Sequence, residues 1–284
     1  MPFLDRPGAT IFFETSGSPE CPVVTLINGH TRTSSDFKMM ARSLVERGLK
    51  VLVLDNRGAG RSRVTDDFDL REMVADVVAI WDHLEIASSH VMGISMGGMI
   101  TQWLAGSHPD RIQKLVLIST CPNRSFIRDH GSYAWSDDEK AVEAKLVGYF
   151  SPGFMAANRA LVVAMAKQMA KSAKDGPFLL DASRQMRAME GFDATPLLAN
   201  IAAPTLIIHG ASDMIVPPDA SRVLARAIHG STVKLFEGAG HLLLAERPKD
   251  LYDDVARFFL SASKSHASKS HGSGSDGDGT RDHF

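Results

Sequence analysis

The sequence predicts an α/β protein: a mostly parallel, doubly wound sheet with an antiparallel edge and an inserted helical cap. Three observations predict it. Short runs that are largely apolar recur along the chain, as strands buried on both faces require. Segments with three- and four-residue apolar spacing separate them, which is helical periodicity. Between about residues 121 and 203 the strand pattern stops and helical patterns alone remain, so that stretch reads as an insertion between two strands.

Taken in order, "FLDRPGATIFFET" (3–15) reads as a hairpin turning at Pro-Gly. The strand candidates follow: "VVTLIN" (23–28), "VLVLD" (51–55), "HVMG" (90–93), "KLVLIS" (114–119), "TLIIHG" (205–210) and "TVKLFEG" (232–238). In 69–84, Leu70, Met73, Val74, Val77, Trp81 and Leu84 share one helical face, and Asp69 with Glu72 forms a capping box at its start. Within the insertion, Ser136 and Glu139 suggest a second capping box. A helix from near Asn158 places Leu161, Met165 and Met169 on one face and stops at Lys174-Asp175-Gly176-Pro177. Another runs from Pro177 to Gly191, with Phe178, Ala182, Met186 and Met189 aligned. The expected division is residues 1–120 and 204–260 as the core, 121–203 as the cap and 261–284 as a disordered tail. That tail is rich in Ser, Gly, His and Asp and has almost nothing to bury.

Composition narrows the function classes. The 284 residues are 44% hydrophobic and 23% charged, an ordinary globular balance. With 31 basic and 33 acidic residues the formal charge is −2, and no basic stripe suggests a nucleic-acid partner. The N-terminus lacks the pattern of a signal peptide, and no run nears the roughly 20 apolar residues that span a bilayer. Two cysteines, Cys21 and Cys121, are too few for a disulfide framework, so a cytoplasmic setting without membrane association is expected. No metal-ligand spacing occurs, and no metal or organic cofactor is implied.

Chemistry concentrates around Gly93-Ile94-Ser95-Met96-Gly97. This matches G-x-S-x-G, follows a strand pattern and opens a helical one. A serine on a sharp strand-to-helix turn needs small neighbours at plus and minus two, because its strained backbone brings other chain segments close. A hydroxyl also needs a base. Of eleven histidines, His241 stands apart, because it follows Gly238-Ala239-Gly240 in a loop after the last strand. His266, His271 and His283 lie in the tail, and His83, His90, His108, His130, His209 and His229 lie in helix, strand or surface patterns. The base needs an orienting acid. Asp213 follows "TLIIHG" at that strand's C-terminal end, whereas Asp219 falls where a helix starts and is the weaker candidate. The expected catalytic set is Ser95, Asp213 and His241.

With these residues the chain resembles the α/β-hydrolase superfamily, over about residues 10 to 260. "DNRGAGRS" (55–62) is similar to the family's D-x-R-G-x-G-x-S turn, and "APTLIIHGASDMIVP" and "GAGHLLLAERP" are similar to its acid and histidine segments. The insertion resembles the family's helical cap between the sixth and seventh strands. Members often carry His-Gly-x after the first parallel strand; here the segment is Asn28-Gly29-His30. By position the resemblance implies that the backbone N–H groups of His30 and Met96 form the oxyanion hole. The His30 side chain could line the pocket, bond Asn28 or, less favourably, act as a second base.

The resemblance implies a serine hydrolase cleaving a small-molecule carboxylic ester or lactone through an acyl-enzyme. The cap, "DNRGAGRS" and "YFSPGF" look like those of 3-oxoadipate enol-lactone hydrolases, and general carboxylesterases share the same parts. Perhydrolases and carbon–carbon bond hydrolases share the same triad, so these remain open alternatives. A non-catalytic receptor of this fold is a further rival, but receptors usually lose a triad member and this chain has all three. The cap is expected to supply Met155, Met165, Met169, Met186 and Met189 to an apolar, permissive acyl pocket favouring small to medium uncharged esters.

Overall fold

The computed structural model describes residues 2–128, 135–174 and 176–262. The first half contains β1 (Phe3–Arg6), β2 (Ala9–Ser16), β3 (Val23–Ile27), α1 (Lys38–Val45), β4 (Lys50–Leu54), β5 (Arg63–Val64), α2 (Leu70–His83), β6 (Ser89–Ile94), α3 (Met96–Ser107) and β7 (Ile112–Ile118). Four helices follow: α4 (Glu139–Leu146), α5 (Pro152–Ala157), α6 (Arg159–Lys174) and α7 (Phe178–Glu190). The sheet then resumes with β8 (Thr205–Gly210), α8 (Asp219–Ala227), β9 (Thr232–Phe236), α9 (Leu243–Glu246) and α10 (Pro248–Leu260).

The sheet order is β1-β2-β4-β3-β6-β7-β8-β9, with the short β5 on β2. Strands β4 through β9 in this order are parallel, and β2 joins β4 antiparallel. The chain leaves β3 for β4 on one side and returns to β6 on the other. The crevice between the C-terminal ends of β3 and β6 is therefore the topological switch point, where open α/β sheets bind ligands.

Both faces are covered. Residues of α2, α3 and α8 pack one face, centred on Trp81, Ile100 and Leu224. Residues of α1 and α10 pack the other, centred on Met40, Leu44, Leu251 and Val255. Each fully buried side chain of this size contributes roughly 1.5–3 kcal/mol, so the parallel strands tolerate few polar residues. Strand β9 is the exception to the expected two-sided apolar pattern. It is an edge strand with Thr232, Val233 and Lys234 exposed, and the lysine discourages further strand pairing.

Local signals set several element ends. Asp69 accepts from the amides of Arg71 and Glu72, and Glu72 returns to the Asp69 amide, so the capping box forms at α2. The expected Ser136–Glu139 box does not form. Asp138 caps α4 by accepting from the Ala141 amide, and Ser136 instead accepts from the Asp138 amide. Two adjacent candidates compete there, and the carboxylate nearer the first turn wins.

The buried stripe of α6 is Val162, Ala166 and Ala170, while Leu161 is 48% exposed. The expected face was therefore rotated by one residue, because small alanines rather than the larger residues make the closest contacts. Helices α4 and α6 enclose a separate small core with Trp135 and Phe150. On α7 the stripe facing the body includes Asp181 and Gln185, polar residues that an apolar pattern cannot reveal. Gln185 accepts from the Thr31 amide and donates to the Arg57 carbonyl, tying α7 to two loops at the sheet edge.

No helix among the described residues is long and apolar enough to cross a membrane. The predicted tail lies outside the described residues beyond Ala262, as does His130.

Candidate active site

Ser95 joins β6 to α3 with φ 55° and ψ −118°. Such a left-handed value in a non-glycine residue stores on the order of 1–3 kcal/mol and persists only where its surroundings enforce it. Here the Ser95 amide donates to the Ile118 carbonyl at 2.9 Å, and Thr120 Oγ1 donates to the Ser95 carbonyl at 2.8 Å. The flanking glycines permit the close approach. A methyl at Gly93 would overlap Thr101 Oγ1 and the Gly97 carbonyl, and one at Gly97 would overlap the carbonyls of Ile27 and Asn28. The turn thus leaves the serine side chain half-buried at the switch point.

His241 and Asp213 arrive from the C-terminal ends of β9 and β8. His241 Nδ1 lies 2.7 Å from Asp213 Oδ2, and His241 Nε2 lies 3.0 Å from Ser95 Oγ. A carboxylate accepts only, so Nδ1 carries the proton and Nε2 is left to accept from the serine hydroxyl. The His241 loop is pinned to the cap. The amides of His241 and Leu242 both donate to the Tyr149 carbonyl, at 2.9 and 3.2 Å, and the Tyr149 ring stands edge-on to the imidazole. Glu246 accepts from the Gly240 amide at 3.0 Å on the other side of the loop.

Asp213 is almost fully enclosed. Its Oδ1 accepts from the amides of Ile215 and Val216, both at 2.9 Å, and its Oδ2 faces two histidines. Burial by itself raises this carboxyl. The His241 charge and the hydrogen bonds from His209 and His241 outweigh it, and hold Asp213 well below the ordinary carboxylate range. His209 was passed over in the sequence as a strand residue. A histidine ending a strand four residues before a candidate acid was the available signal.

The loop after β3 lies against the serine. A methyl at Gly29 would sit 3.3 Å from Ser95 Cβ. Gly29 and Thr31 donate their amides to Asn28 Oδ1 and Gln185 Oε1, which leaves the His30 amide between them without a partner among the described residues. Met96 opens α3, so its amide has no intrahelical acceptor. The His30 side chain does not bond Asn28. Its Nε2 donates to the Ala182 carbonyl of α7 at 2.8 Å. Burial, reinforced by the charge of Lys145 and opposed by that hydrogen bond, pushes the imidazole down to about 4. Asn28 Nδ2 instead donates to the Thr33 carbonyl and to Asp36.

The "DNRGAGRS" turn supports this loop. Asp55 accepts from the amides of Ser34 and Arg61, at 2.6 and 2.8 Å, and Asn56 Nδ2 donates to the Asn28 carbonyl. Arg57 makes a bidentate pair with buried Asp76. The motif supports the site through the Asp55 and Asn56 side chains, which hold backbone groups of the loop.

A cavity of about 200 Å³ opens onto Ser95 and His241, with an apolar wall that includes Met165, Met169, Met186 and Met189. Met155 is not among the lining residues; it packs in the small core of the cap. Asp219 heads α8, pairs with Arg222 at 2.7 Å on the surface, and takes no part. No cluster of three or more metal-ligating side chains occurs among the described residues.

Comparison with known proteins supports the fold. A family model described as alpha/beta hydrolase fold matches residues 22–248. The chain is similar to a putative carbamate hydrolase, RutD, of Pseudomonas syringae pv. syringae: 32% identical over 207 residues, covering 70% of this chain and 79% of that protein. It is also similar to 3-oxoadipate enol-lactonase 2 of Acinetobacter baylyi, at 27% identity over 70% of this chain and 74% of that protein. Among solved structures, the enol-lactonase from Burkholderia xenovorans superposes with a TM-score of 0.78 over 92% of this chain and all of that one; at 23% identity this speaks to the fold alone.

Proposed function

The chain belongs to the α/β-hydrolase family, and from that premise we propose that it is a serine hydrolase cleaving a small-molecule carboxylic ester or lactone through an acyl-enzyme. The observation that carries the reading is the continuous relay from Asp213 Oδ2 to His241 Nδ1 at 2.7 Å and from His241 Nε2 to Ser95 Oγ at 3.0 Å.

In this mechanism Ser95 Oγ attacks the carbonyl carbon while His241 Nε2 takes the hydroxyl proton. Asp213 holds the imidazole with its proton on Nδ1 and stabilises the imidazolium that forms. The tetrahedral oxyanion points to the amides of His30 and Met96, each worth on the order of 3–4 kcal/mol in the transition state. His241 then gives its proton to the leaving alkoxide as the C–O bond breaks. Water, deprotonated by the same imidazole, attacks the acyl-enzyme, and the serine leaves with the proton back on Oγ.

The cavity volume and its methionine wall support a small to medium uncharged acyl group. The relatives named for carbamate and enol-lactone hydrolysis support hydrolysis without choosing the bond. The test is labelling with a serine-reactive fluorophosphonate, followed by a panel of p-nitrophenyl esters and lactones. Labelling at Ser95 with turnover of short-chain esters or lactones is expected. Absence of labelling would show that the relay is inert and favour a receptor of this fold.

A further inference from the structure

His209 ends β8 with a side chain that is fully buried. Its Nε2 lies 2.9 Å from the Val216 carbonyl and 3.2 Å from Asp213 Oδ2. Both neighbours are acceptors, so Nε2 carries the proton; it donates to the Val216 carbonyl and keeps its N–H edge 3.2 Å from Asp213 Oδ2. The other ring nitrogen, Nδ1, is buried with no hydrogen-bond partner among the described residues. An unmet buried acceptor carries a desolvation cost with nothing to offset it. A ring serving only to fill space would be replaced without that cost by a leucine or phenylalanine. The polar ring is explained by what its other nitrogen does.

We propose that His209 is a positioning residue for Asp213: its Nε2–H fixes the Oδ2 atom on which His241 depends. The geometry is closed on all sides. Val216 donates its amide to Asp213 Oδ1 and receives His209 Nε2–H at its carbonyl, so one residue ties the carboxylate and the second histidine together. The carboxylate plane is then set by two amides at Oδ1 and by two imidazoles at Oδ2. Rotation about the Cβ–Cγ bond would break donors at both oxygens.

The hydrogen bond also tempers the acid. A donor on Oδ2 favours the ionised carboxylate and draws charge away from its bond with His241. Proton transfer from Nδ1 to Asp213 is thereby opposed, and the positive charge that develops during attack stays on the imidazole. The titratable groups bearing on Asp213 are His241 from the loop after β9, His209 from β8 and the Cys121 thiol after β7. Burial, helped by the Asp213 charge, pushes Cys121 up to about 12, and Arg124 only partly offsets this, so the thiol stays uncharged in the working range.

The catalytic consequence rests on the serine-hydrolase reading; the geometric role does not. The experiment compares wild type, His209→Leu and His209→Gln, the last of which can keep a donor near the Nε2 position. The first readout is the rate of fluorophosphonate labelling against pH. With His209→Leu the plateau rate is expected to fall about three- to tenfold. Its acidic limb should move to higher pH by about half a unit or more, because the less restrained carboxylate holds the imidazolium more strongly. With His209→Gln the limb should return toward wild type. A superimposable profile for His209→Leu, or an equal displacement in both variants, overturns the proposal.

The second readout needs no reactivity: the proton resonance of His241 Nδ1–H, expected to move downfield in His209→Leu. If wild type is not labelled, the hydrolase reading fails, and this resonance decides the role of His209 alone; no movement overturns it. If His209→Leu does not fold, the nitrogen shifts of His209 in wild type decide. The Nε2-protonated tautomer is expected, and an Nδ1-protonated ring could not donate to Asp213 and overturns the proposal.

Discussion

Ser151 and Glu246 are joined by two hydrogen bonds, from the Ser151 hydroxyl at 2.6 Å and from its amide at 3.1 Å. The same carboxylate also holds the Gly240 amide. One side chain therefore couples the first turn of α5 in the cap to the loop that presents His241. A methyl at Gly240 would lie 2.8 Å from the Phe150 backbone, so loop and cap meet without space for slack.

Glu246→Ala should loosen His241 without touching it. It leaves Ser151 Oγ and two amides short of an acceptor, a cost of about 1–3 kcal/mol in a partly buried setting. The expected result is a thermal midpoint lowered by several degrees and a kcat lowered about tenfold with little change in KM. Melting curves and p-nitrophenyl acetate kinetics check both. An unchanged kcat would mean that the Tyr149 carbonyl alone holds the loop.

The triad variants separate proton transfer from orientation. Ser95→Ala should abolish fluorophosphonate labelling and reduce hydrolysis to background with the fold intact. Asp213→Asn should lower kcat by about 10⁴, because an amide donor at Nδ1 favours the wrong tautomer. Circular dichroism confirms folding alongside the kinetics. Near-normal hydrolysis by Ser95→Ala would sink the acyl-enzyme mechanism.

The route to these residues shows what was legible in the chain. Ser95, Asp213 and His241 could be placed because each sits at a strand end beside local punctuation: glycines at plus and minus two, or a Gly-Ala-Gly run. The parallel sheet was legible because burial on both faces leaves contiguous apolar runs. Glu246 and Gln185 were not, since each is defined by a partner 95 or 154 positions away in the chain, and His209, only four residues before Asp213, was hidden by its place in an apolar strand run. The inward face of α6 was misplaced for a related reason: alanines set its closest contacts, and alanine carries little hydrophobic signal. The Ser136 cap failed because two capping residues stood within one turn, and only the three-dimensional path decides between them.

Acid should weaken the fold before it reaches the carboxylates. His30 and His90 are both pushed from the ordinary 6.5 down to about 4, in each case chiefly by burial. The unfolded chain takes up these protons first, so stability is full above the unfolded value and is lost as pH falls from 6.5 toward 4. Asp213 acts in a lower window: its contribution is present above its ordinary 3.8 and is lost as pH falls below it. His90→Phe can keep the stack on Phe259, whose ring lies 5.1 Å away. It should recover on the order of 1–3 kcal/mol of the loss between about pH 7 and pH 4.5. Denaturant titrations at the two pH values check this, and equal losses in both proteins would remove His90 from the account.

The Arg57–Asp76 pair should be costly to break from either side. The side chains are 4% and 2% exposed, and Arg57 Nε and Nη2 reach the two carboxylate oxygens at 2.6 and 2.9 Å. Asp76→Ala leaves the buried guanidinium with the Pro7 carbonyl and the exposed Glu72, and takes a partner from Arg6 as well; the expected loss is about 3–5 kcal/mol. Asp76→Ala with Arg57→Met should recover part of it, since the uncompensated charge is then gone. If the double variant is as unstable as the sum of the singles, the pair contributes through packing and not through its charges.

On the proposed reading, Met169 is a position from which acyl selectivity should be open to change. It lines the cavity above Ser95 and also a second, larger hollow of about 1060 Å³ bordered by Gly58–Val64 and Phe178. Its neighbour Met165 lines the first cavity only. The Met169 side chain is thus part of the partition between a space of about 200 Å³ and a much roomier one. Methionine suits such a partition, being unbranched and able to change rotamer at low cost. Met169→Ala removes three heavy atoms from that wall and should join the two spaces. A pocket methylene is worth roughly 1–3 kcal/mol, so kcat/KM for hexanoate or octanoate esters should rise about tenfold or more relative to acetate. The acetate rate should hold, because Met169 belongs to the cavity wall and is not a member of the triad or the oxyanion loop. Met155→Ala serves as the comparison: it empties part of the cap's own core and should lower stability while leaving the chain-length profile in place. Superimposable profiles for Met169→Ala and wild type would mean that the acyl group lies along another wall, and Met186 and Met189 would be the next residues to change.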